Sequence, residues 1–231
     1  MTGFVRYAVY YAPPAGSALW RFGSDWLGRD AEADAPAPQP EVEGLPGPLA
    51  EITAAPRRYG FHATLKPPFA LAEGTEAAGL MAAAEALAAR TAAFEAPALR
   101  LAAGRRFASL RLSAPCAAMT DLAAECVAAL DGFRAPAGEA ELARRRKAGL
   151  SAAQEAHLTR WGYPYVMDQF DFHLTLSGPL GAEALAQVAA ALAPRVAPLC
   201  QAPLPVREIA VYGDPGGGAP FALVRRLPLS G

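Results

Sequence analysis

Residues 58–66 read RYGFHATLK, and residues 170–177 read FDFHLTLS. Both strings contain His-x-Thr-Leu directly after a phenylalanine, and in both a proline follows shortly after the leucine. A motif that returns in the second half of a 231-residue chain indicates an internal repeat, in which two copies of one supersecondary unit pack together. The repeat predicts two pseudo-symmetric lobes that share a cleft.

Both strings have the composition of β-strands, and Pro67-Pro68 is expected to end the first one. Because side chains alternate between the faces of a strand, each copy has an apolar face for the core and a polar face. The polar face carries His62, Thr64 and Lys66 in the first copy, and His173, Thr175 and Ser177 in the second. Residues i and i+2 lie roughly 6.5–7 Å apart along a strand, so a phosphate oxygen fits between imidazole and hydroxyl.

A helix and then two strands are predicted after each motif. The first copy has a helix over residues 75–90 and strands over 99–103 and 107–112; the second has a helix over 182–192 and strands over 206–212 and 221–227. These elements predict an α+β fold, a single bilobal domain over residues 1–231 with repeats near 58–112 and 170–227. Two antiparallel sheets with outer helices would surround a central cleft.

Residues 30–51 interrupt this pattern with an acidic, proline-rich run. Prolines at this density exclude a continuous helix or a central strand. We expect a surface loop, with a lid over the cleft as the alternative.

Composition and charge narrow the range of partners. The formal net charge is −1 and the pI is about 6.3, without the basic excess of a dedicated nucleic-acid binder, so a small phosphorylated substrate is favoured over nucleic acid. The three cysteines match no zinc or redox spacing and are expected to be reduced, buried thiols. No signal peptide and no run of about 18 apolar residues is recognised, so we expect a cytoplasmic protein without a membrane partner. The sequence favours no particular oligomeric state.

Two histidines that face one cleft suit transfer at phosphorus. A neutral imidazole can take a proton from water or a hydroxyl, while a protonated imidazole donates to the leaving oxygen. The ordinary histidine pKa of about 6.5 lets both forms exist near neutral pH. His62 and His173 would play these roles, and Thr64 and Thr175 would donate hydrogen bonds to the non-bridging oxygens. This chemistry needs no metal and no cofactor.

Five further residues are candidates for substrate contacts. Lys66, Arg58 and Ser177 lie on the polar faces of the two predicted strands and could contact a phosphate. Tyr7, in a strand predicted over residues 5–11, and Tyr165, just before the second motif, could line the cleft. Each residue has a structural alternative. Lys66 and Arg58 could be solvated surface residues, Tyr7 and Tyr165 could pack against other side chains, and Ser177 could likewise have no contact with substrate.

Other interpretations of the histidines are weaker. They could be structural histidines, or a zinc pair, although no third Cys, His or carboxylate ligand lies at the usual spacing. His157 also begins a His-x-Thr string, but the helix predicted over residues 151–161 puts i and i+2 on different faces. The run Gly216–Gly218 lacks the Lys-Ser/Thr ending of a phosphate-binding loop and predicts a hairpin turn.

The paired motifs resemble the 2H phosphoesterase superfamily, which includes RNA 2′,3′-cyclic phosphodiesterases and 2′-5′ RNA ligase-like proteins. The flanks RYGFHATLKPPF and FDFHLTLSGPL, together with WLGRD at residues 26–30, resemble the bacterial DUF1045 branch associated with phosphonate metabolism. The resemblance covers essentially the whole chain. It implies a duplicated α+β fold, two-histidine acid–base catalysis and, through the carbon–phosphorus lyase pathway, a phosphoribosyl 1,2-cyclic phosphate as substrate.

Three hypotheses follow. The first is a metal-independent phosphodiesterase that opens a small cyclic phosphate. The second is an RNA-end enzyme that acts on 2′,3′-cyclic or 2′-5′ linkages, against which the near-neutral charge argues. The third is a phosphate- or nucleotide-binding module without catalysis.

Overall fold

The structure is a computed structural model that describes residues 3–104 and 106–231. Arg105, in the turn expected between residues 103 and 107, lies outside the described residues, as do Met1 and Thr2. The strands are β1 (Arg6–Tyr11), β2 (Arg29–Asp30), β3 (Ala35–Pro36), β4 (Ala63–Phe69), β5 (Phe94–Ala96), β6 (Leu99–Ala103), β7 (Ala108–Leu112), β8 (Leu174–Thr175), β9 (Leu204–Val206), β10 (Glu208–Asp214) and β11 (Ala222–Pro228). The α-helices are α1 (Ala18–Leu27), α2 (Leu49–Ile52), α3 (Ala54–Arg57), α4 (Ala77–Arg90), α5 (Ala117–Ala129), α6 (Glu139–Arg146), α7 (Ala152–Trp161) and α8 (Ala182–Val196). Short 3-10 helices cover Asp131–Phe133, Met167–Gln169 and Ala197–Cys200.

The predicted α+β class with antiparallel sheets is confirmed. One sheet has four strands in the order β11-β10-β1-β4, and a second has three in the order β6-β7-β8. Two small pairs, β2 with β3 and β5 with β9, complete the pairing, and every ladder is antiparallel. Each motif strand, β4 or β8, lies at one edge of its sheet.

The repeat appears in the order of elements, but the sheets exchange strands between the halves. Helix α4 and strands β5, β6 and β7 follow β4, as helix α8 and strands β9, β10 and β11 follow β8. Strand β4 is in the sheet of the β10–β11 hairpin, and β8 pairs with the β6–β7 hairpin. The two sheets are therefore not the contiguous segments 58–112 and 170–227, because each one combines strands from both.

The first motif strand begins and ends later than predicted. Residues 54–57 form α3, and Gly60 has a left-handed φ of +75°, so the extended conformation starts only at Ala63. The strand then continues through Pro67-Pro68 to Phe69. Proline is compatible with an edge strand, where the missing N–H faces away from the ladder.

The four-stranded sheet separates two apolar clusters. Val9 and Tyr11 on β1 belong to the main core, which also receives the apolar faces of β7, β8 and α4. Ala8 and Tyr10, on the other face of β1, pack with Tyr212 in a smaller, aromatic cluster. His62 lies against this smaller cluster, so the site is built on the face of the sheet that turns away from the main core.

The acidic, proline-rich segment is mostly irregular, as expected, but it contains the two-residue ladder of β2 and β3 and ends in the short helix α2. Among the described residues, no helix combines the length and the apolar character needed to cross a membrane.

Candidate active site

A cavity of about 280 Å³ contains both motif histidines. It is lined by Ala55, Pro56, Tyr59, Gly60, His62, Phe107, His173, Thr175, Ser177, Gly178 and Pro179. The walls are largely apolar, and the polar side chains of the lining are the two imidazoles, Tyr59, Thr175 and Ser177. The structure thus brings the two motif histidines, 111 residues apart, to one pocket, which Thr175 also lines and Thr64 does not.

The two histidines are held in the same way. Nδ1 of His62 lies 3.0 Å from the carbonyl oxygen of Gly60, and Nδ1 of His173 lies 2.8 Å from that of Asp171. A carbonyl only accepts, so each Nδ1 carries the proton and each Nε2 is left for the substrate. In both copies the acceptor is two residues before the histidine. The repeat seen in the sequence therefore extends to the tautomer and orientation of the rings.

His62 is enclosed by aromatic side chains. The ring of Tyr10 stacks on the imidazole with 3.8 Å between centroids and 26° between planes, and the rings of Tyr59 and Tyr212 lie 6.1 and 6.4 Å away. The pKa of His62 is lowered to about 4, mainly by this burial; the hydrogen bond to the Gly60 carbonyl opposes the shift, and the charge of His173 adds to it. His62 is therefore neutral at physiological pH, and its Nε2 carries a lone pair that can accept a hydrogen bond.

Thr64 completes the first motif. Its Oγ1 lies 3.3 Å from Nε2 of His62, and because this nitrogen is unprotonated the hydroxyl donates to it. Thr64 is opposite Tyr10 in the β1–β4 ladder, so the threonine, the histidine and the tyrosine share one face of the sheet.

The second motif is fixed by contacts from three directions. Thr175 is opposite Ser109 in the β7–β8 ladder, and the Phe107 ring lies 5.7 Å from the His173 imidazole. Ser177 is buried; its Oγ accepts from the Ala108 N–H at 3.0 Å and donates to the Gly178 carbonyl at 2.9 Å. The indole N–H of Trp26, within the WLGRD segment, donates to the Leu176 carbonyl at 2.7 Å. These bonds fix the backbone that carries His173 and Thr175.

The structure does not bring Lys66 to the cavity. Its ammonium is buried, donates to the Val127 carbonyl at 3.0 Å and lies 4.0 Å from Asp131. The reason is a β-bulge: Tyr10 opposes Thr64 but Val9 opposes Lys66, so one residue of β1 is matched by two of β4. The extra residue turns Lys66 to the core side with Val9. Burial lowers the pKa of Lys66 to about 8, which the nearby Asp131 partly offsets.

Arg58, Tyr7 and Tyr165 also lie outside the cavity lining. Arg58 caps the end of α3 rather than lying on a strand, and its guanidinium pairs with Asp214 at 3.5 Å. Tyr7 is buried in the main core, on the opposite face of β1 from Tyr10. Tyr165 is exposed and makes an edge contact with Tyr163.

Sequence reasoning missed Tyr10, Tyr59 and Phe107. Tyr10 could have been chosen in place of Tyr7, because alternation in β1 puts the two tyrosines on opposite faces. Nothing local to the sequence shows which face would meet His62, since that depends on the pairing of β1 with β4. His157 lies on α7, as predicted, and its Nε2 bonds to Asp168 rather than to the site.

No group of three or more His, Cys, Asp or Glu side chains is placed to hold a metal ion within the described part of the chain.

Comparison with known proteins gives two curated relatives with the same name. The chain is 38% identical over 231 residues to a ribose 1,5-bisphosphate phosphokinase PhnN of Janthinobacterium sp. (strain Marseille), covering 98% of this chain and 51% of the relative. It is 40% identical over 222 residues to the ribose 1,5-bisphosphate phosphokinase PhnN of Laribacter hongkongensis (strain HLHK9). This match covers 96% of this chain and 51% of the relative. The chain therefore spans about half the length of the curated relatives it matches.

Among solved structures, E. coli LigT complexed with NADP+ has 13% sequence identity and a TM-score of 0.46, with 99% of each chain covered. This likeness is distant. The family comparison is more direct: the model described as "Protein of unknown function (DUF1045)" matches residues 64–222, more than half of the chain. As the sequence resemblance predicted, the chain belongs to the DUF1045 family.

Proposed function

We propose that the protein is a metal-independent phosphoesterase that opens a small cyclic phosphodiester, with a phosphoribosyl cyclic phosphate as the favoured substrate. One observation carries the proposal: His62 and His173, held in the same tautomer by matching backbone contacts, share one cavity. A phosphate group between the two Nε2 atoms would have a proton acceptor on one side and a proton donor on the other.

His62 is the general base in this proposal, and His173 is the general acid. Nε2 of neutral His62 takes a proton from a water molecule as its oxygen bonds to phosphorus. The bond between phosphorus and the leaving sugar oxygen breaks, and that oxygen takes the proton from Nε2 of protonated His173. The product is a phosphate monoester with a free hydroxyl, and one molecule of water is consumed.

Burial supports this assignment of roles. The lowered pKa of His62 keeps its ring unprotonated, as a base must be. A bound phosphate brings negative charge next to the ring, which raises the pKa and makes the base stronger once the substrate is in place. His173, whose side chain is less enclosed by aromatic rings, takes the other role.

Thr64 and Thr175 would stabilise the charge that builds on the non-bridging oxygens. Each lies two residues after its histidine on the same face of its strand. Thr64 now donates to His62, and a phosphate oxygen would take over that hydrogen bond. The apolar walls formed by Phe107, Pro56 and Pro179 exclude water, and charge–dipole interactions are stronger there than in bulk solvent.

The size of the cavity favours a small substrate. About 280 Å³ is slightly below the range of about 300–1,000 Å³ for small-molecule pockets, and suits a sugar phosphate better than an RNA strand. Two relatives carry the name of a ribose 1,5-bisphosphate phosphokinase, and this reference to a related sugar phosphate supports the proposed substrate. The chain lacks the G-x-x-x-x-G-K-[ST] string of a phosphate-binding loop, so its sequence gives no support for a P-loop kinase site.

A substrate screen in EDTA tests the proposal. Ribose 1,2-cyclic phosphate, its 5-phosphate derivative and nucleoside 2′,3′-cyclic phosphates are incubated with the wild type and with His62→Ala and His173→Ala. We expect turnover of the ribose cyclic phosphates, lost by at least about 10²-fold in each variant. Turnover that vanishes with the chelator, or survives in both variants, would overturn the proposal. Faster turnover of the nucleoside compounds, together with salt-sensitive binding of oligonucleotides, would favour the RNA-end enzyme. Binding of these compounds without turnover would favour the non-catalytic module.

A further inference from the structure

Two arginines lie directly opposite each other on the sheet that carries the second motif. In the β6–β7 ladder Arg100 faces Arg111, and in the next row Ala102 faces Ser109. Ser109 in turn faces Thr175 on β8. Because directly opposed residues point to the same side, Arg100, Arg111, Ser109 and Thr175 share one face of this sheet. That face is the one that presents Thr175 to the cavity.

Like charges directly opposite each other destabilise a sheet, so the repulsion between the two arginines must be offset by another interaction or serve a function. Asp171, which forms an ion pair with Arg111, is the single acidic residue in the lining of the adjoining cavity. Two guanidinium groups and one carboxylate leave this part of the face with a net positive charge. An anionic ligand would remove the repulsion, and the planar donor fork of arginine suits a phosphate.

A cavity is present beside the pair. It has a volume of about 350 Å³, and its lining includes Arg100, Arg111, Ser113, Thr120 and Asp171. Phe172, the neighbour of His173, also lines it. Residues 170–172 line the arginine cavity and the next residue, His173, lines the histidine cavity, so the two cavities lie beside consecutive residues of one segment.

The register of the strands gives the relation to the histidines. Ser109 faces Thr175 and Leu110 faces Leu174, where the ladder ends. The same antiparallel register, extended by one residue, would bring Arg111 level with His173. The ion pair between Arg111 and Asp171 shows that the two segments remain adjacent there. Neighbouring strands lie about 4.8 Å apart, which puts the backbone of Arg100 two spacings, roughly 10 Å, from that of His173. Long arginine side chains can thus reach a second group on the same small ligand.

Ser109 adds a buried polar group to the same face of the sheet. It is 1% exposed, and its Oγ has no hydrogen-bond partner among the described residues. Buried hydroxyl groups normally form hydrogen bonds, so a buried hydroxyl without a protein partner is a position where a bound ligand or water could supply one. This one lies between Arg111 and Thr175, along the line that joins the arginine pair to the second motif.

We propose that Arg100 and Arg111 form a second anion subsite, which binds a phosphate monoester carried by the same substrate whose cyclic diester lies between His62 and His173. The proposal rests on the proposed function for the position of the diester. It names the substrate class as a sugar that bears both a cyclic diester and a separate terminal phosphate. The subsite would select this class over cyclic phosphates that lack the second charge.

Binding and kinetics test the subsite separately. Calorimetric titration compares D-ribose 5-phosphate with D-ribose on the wild type, Arg100→Gln and Arg111→Gln. Arg195→Gln serves as the control, since Arg195 is exposed on α8 and lines neither cavity. We expect ribose 5-phosphate to bind the wild type and the control equally, and at least about tenfold more weakly in the other two variants. Equal affinity in all four proteins, within about twofold, would overturn the subsite.

The kinetic arm uses a ratio. For each protein the kcat/KM for ribose 1,2-cyclic phosphate with a 5-phosphate is divided by that for the compound without it. We expect this ratio to fall at least about tenfold in Arg100→Gln, mainly because the KM for the 5-phosphate compound rises, and to stay constant in the Arg195→Gln control. An unchanged ratio in Arg100→Gln would overturn the subsite. If the wild type turns over neither compound the proposed function fails, and the ribose 5-phosphate titration still decides whether the arginines bind phosphate.

Discussion

The ring of Tyr10 stacks on the imidazole of His62 with 3.8 Å between centroids. The tyrosine comes from β1 and the histidine immediately precedes β4, so the contact depends on the pairing of the two strands. It fixes the plane of the imidazole and removes water from one of its faces. The stack is therefore one physical cause of the burial that lowers the pKa of His62.

Replacing Tyr10 should change the titration of His62. Tyr10→Leu keeps an apolar side chain but opens one face of the imidazole, so we expect its pKa to rise from about 4 toward the ordinary 6.5. Tyr10→Phe keeps the stack and should leave the pKa within about half a unit of the wild type. NMR titration of the ring resonances measures both variants, and an unchanged pKa in folded Tyr10→Leu would rule out this positioning role.

The pH dependence of kcat/KM should identify the base. This parameter reports the free enzyme, in which His62 has a pKa of about 4. A base must be unprotonated, so we expect kcat/KM to fall as the pH is lowered through about 4 and to be independent of His62 between pH 5 and 7. If His62 were the acid, activity would instead decline as the pH rises above about 4. Tryptophan fluorescence at each pH checks that the protein is folded.

Lys66→Met should leave catalysis intact and alter stability. The ammonium lies on the core side of β4, so we expect kcat/KM at pH 7 to stay within about threefold of the wild type. Its pKa of about 8 is below the unfolded value of about 10.4, so between these values the unfolded chain binds more protons. The free energy of unfolding of the wild type should therefore rise relative to the variant from pH 8 to 10, by up to about 3 kcal/mol. Urea unfolding measures this difference in the free energy of unfolding. A tenfold loss of kcat/KM in Lys66→Met would instead mean that Lys66 contributes to the active site.

The two motif threonines should matter more than the third His-x-Thr string. Thr64→Val and Thr175→Val remove one hydroxyl each at nearly constant volume, and we expect kcat to fall by about 10²-fold, as when an oxyanion donor is lost. His157→Gln and Thr159→Val are matched controls on α7 and should change kcat by less than about twofold. Equal losses in both sets of variants would mean that the effects are structural rather than catalytic.

The sequence was sufficient for the features that local pattern determines. Alternation along each motif placed His and Thr on one face, and the repeat predicted that His62 and His173 belong together; both line one cavity. The helix around His157 also followed from local periodicity. The alternation and the helix periodicity are decided by interactions within a few residues along the chain, whereas the convergence of the two histidines was predicted from the repeat.

The features that sequence reasoning missed depend on contacts between distant segments. Lys66 turned to the core because of a bulge in the ladder of β4 with β1, and nothing within residues 58–66 marks that bulge. The left-handed Gly60 delays the start of the expected strand until Ala63, which removes Arg58 from the polar face. Tyr10 entered the site, and the sheets exchanged strands between the repeats, through pairings of strands far apart in the chain.

The central claim is that both imidazoles meet one phosphate, and the chain's three histidines allow a direct measurement. Inorganic phosphate is titrated into protein labelled with ¹⁵N at histidine, and the Nε2 resonances of His62, His173 and His157 are followed. We expect the first two to shift together with one dissociation constant, while His157, bonded to Asp168, stays unchanged. A shift of only one motif histidine, or two different dissociation constants, would contradict the account.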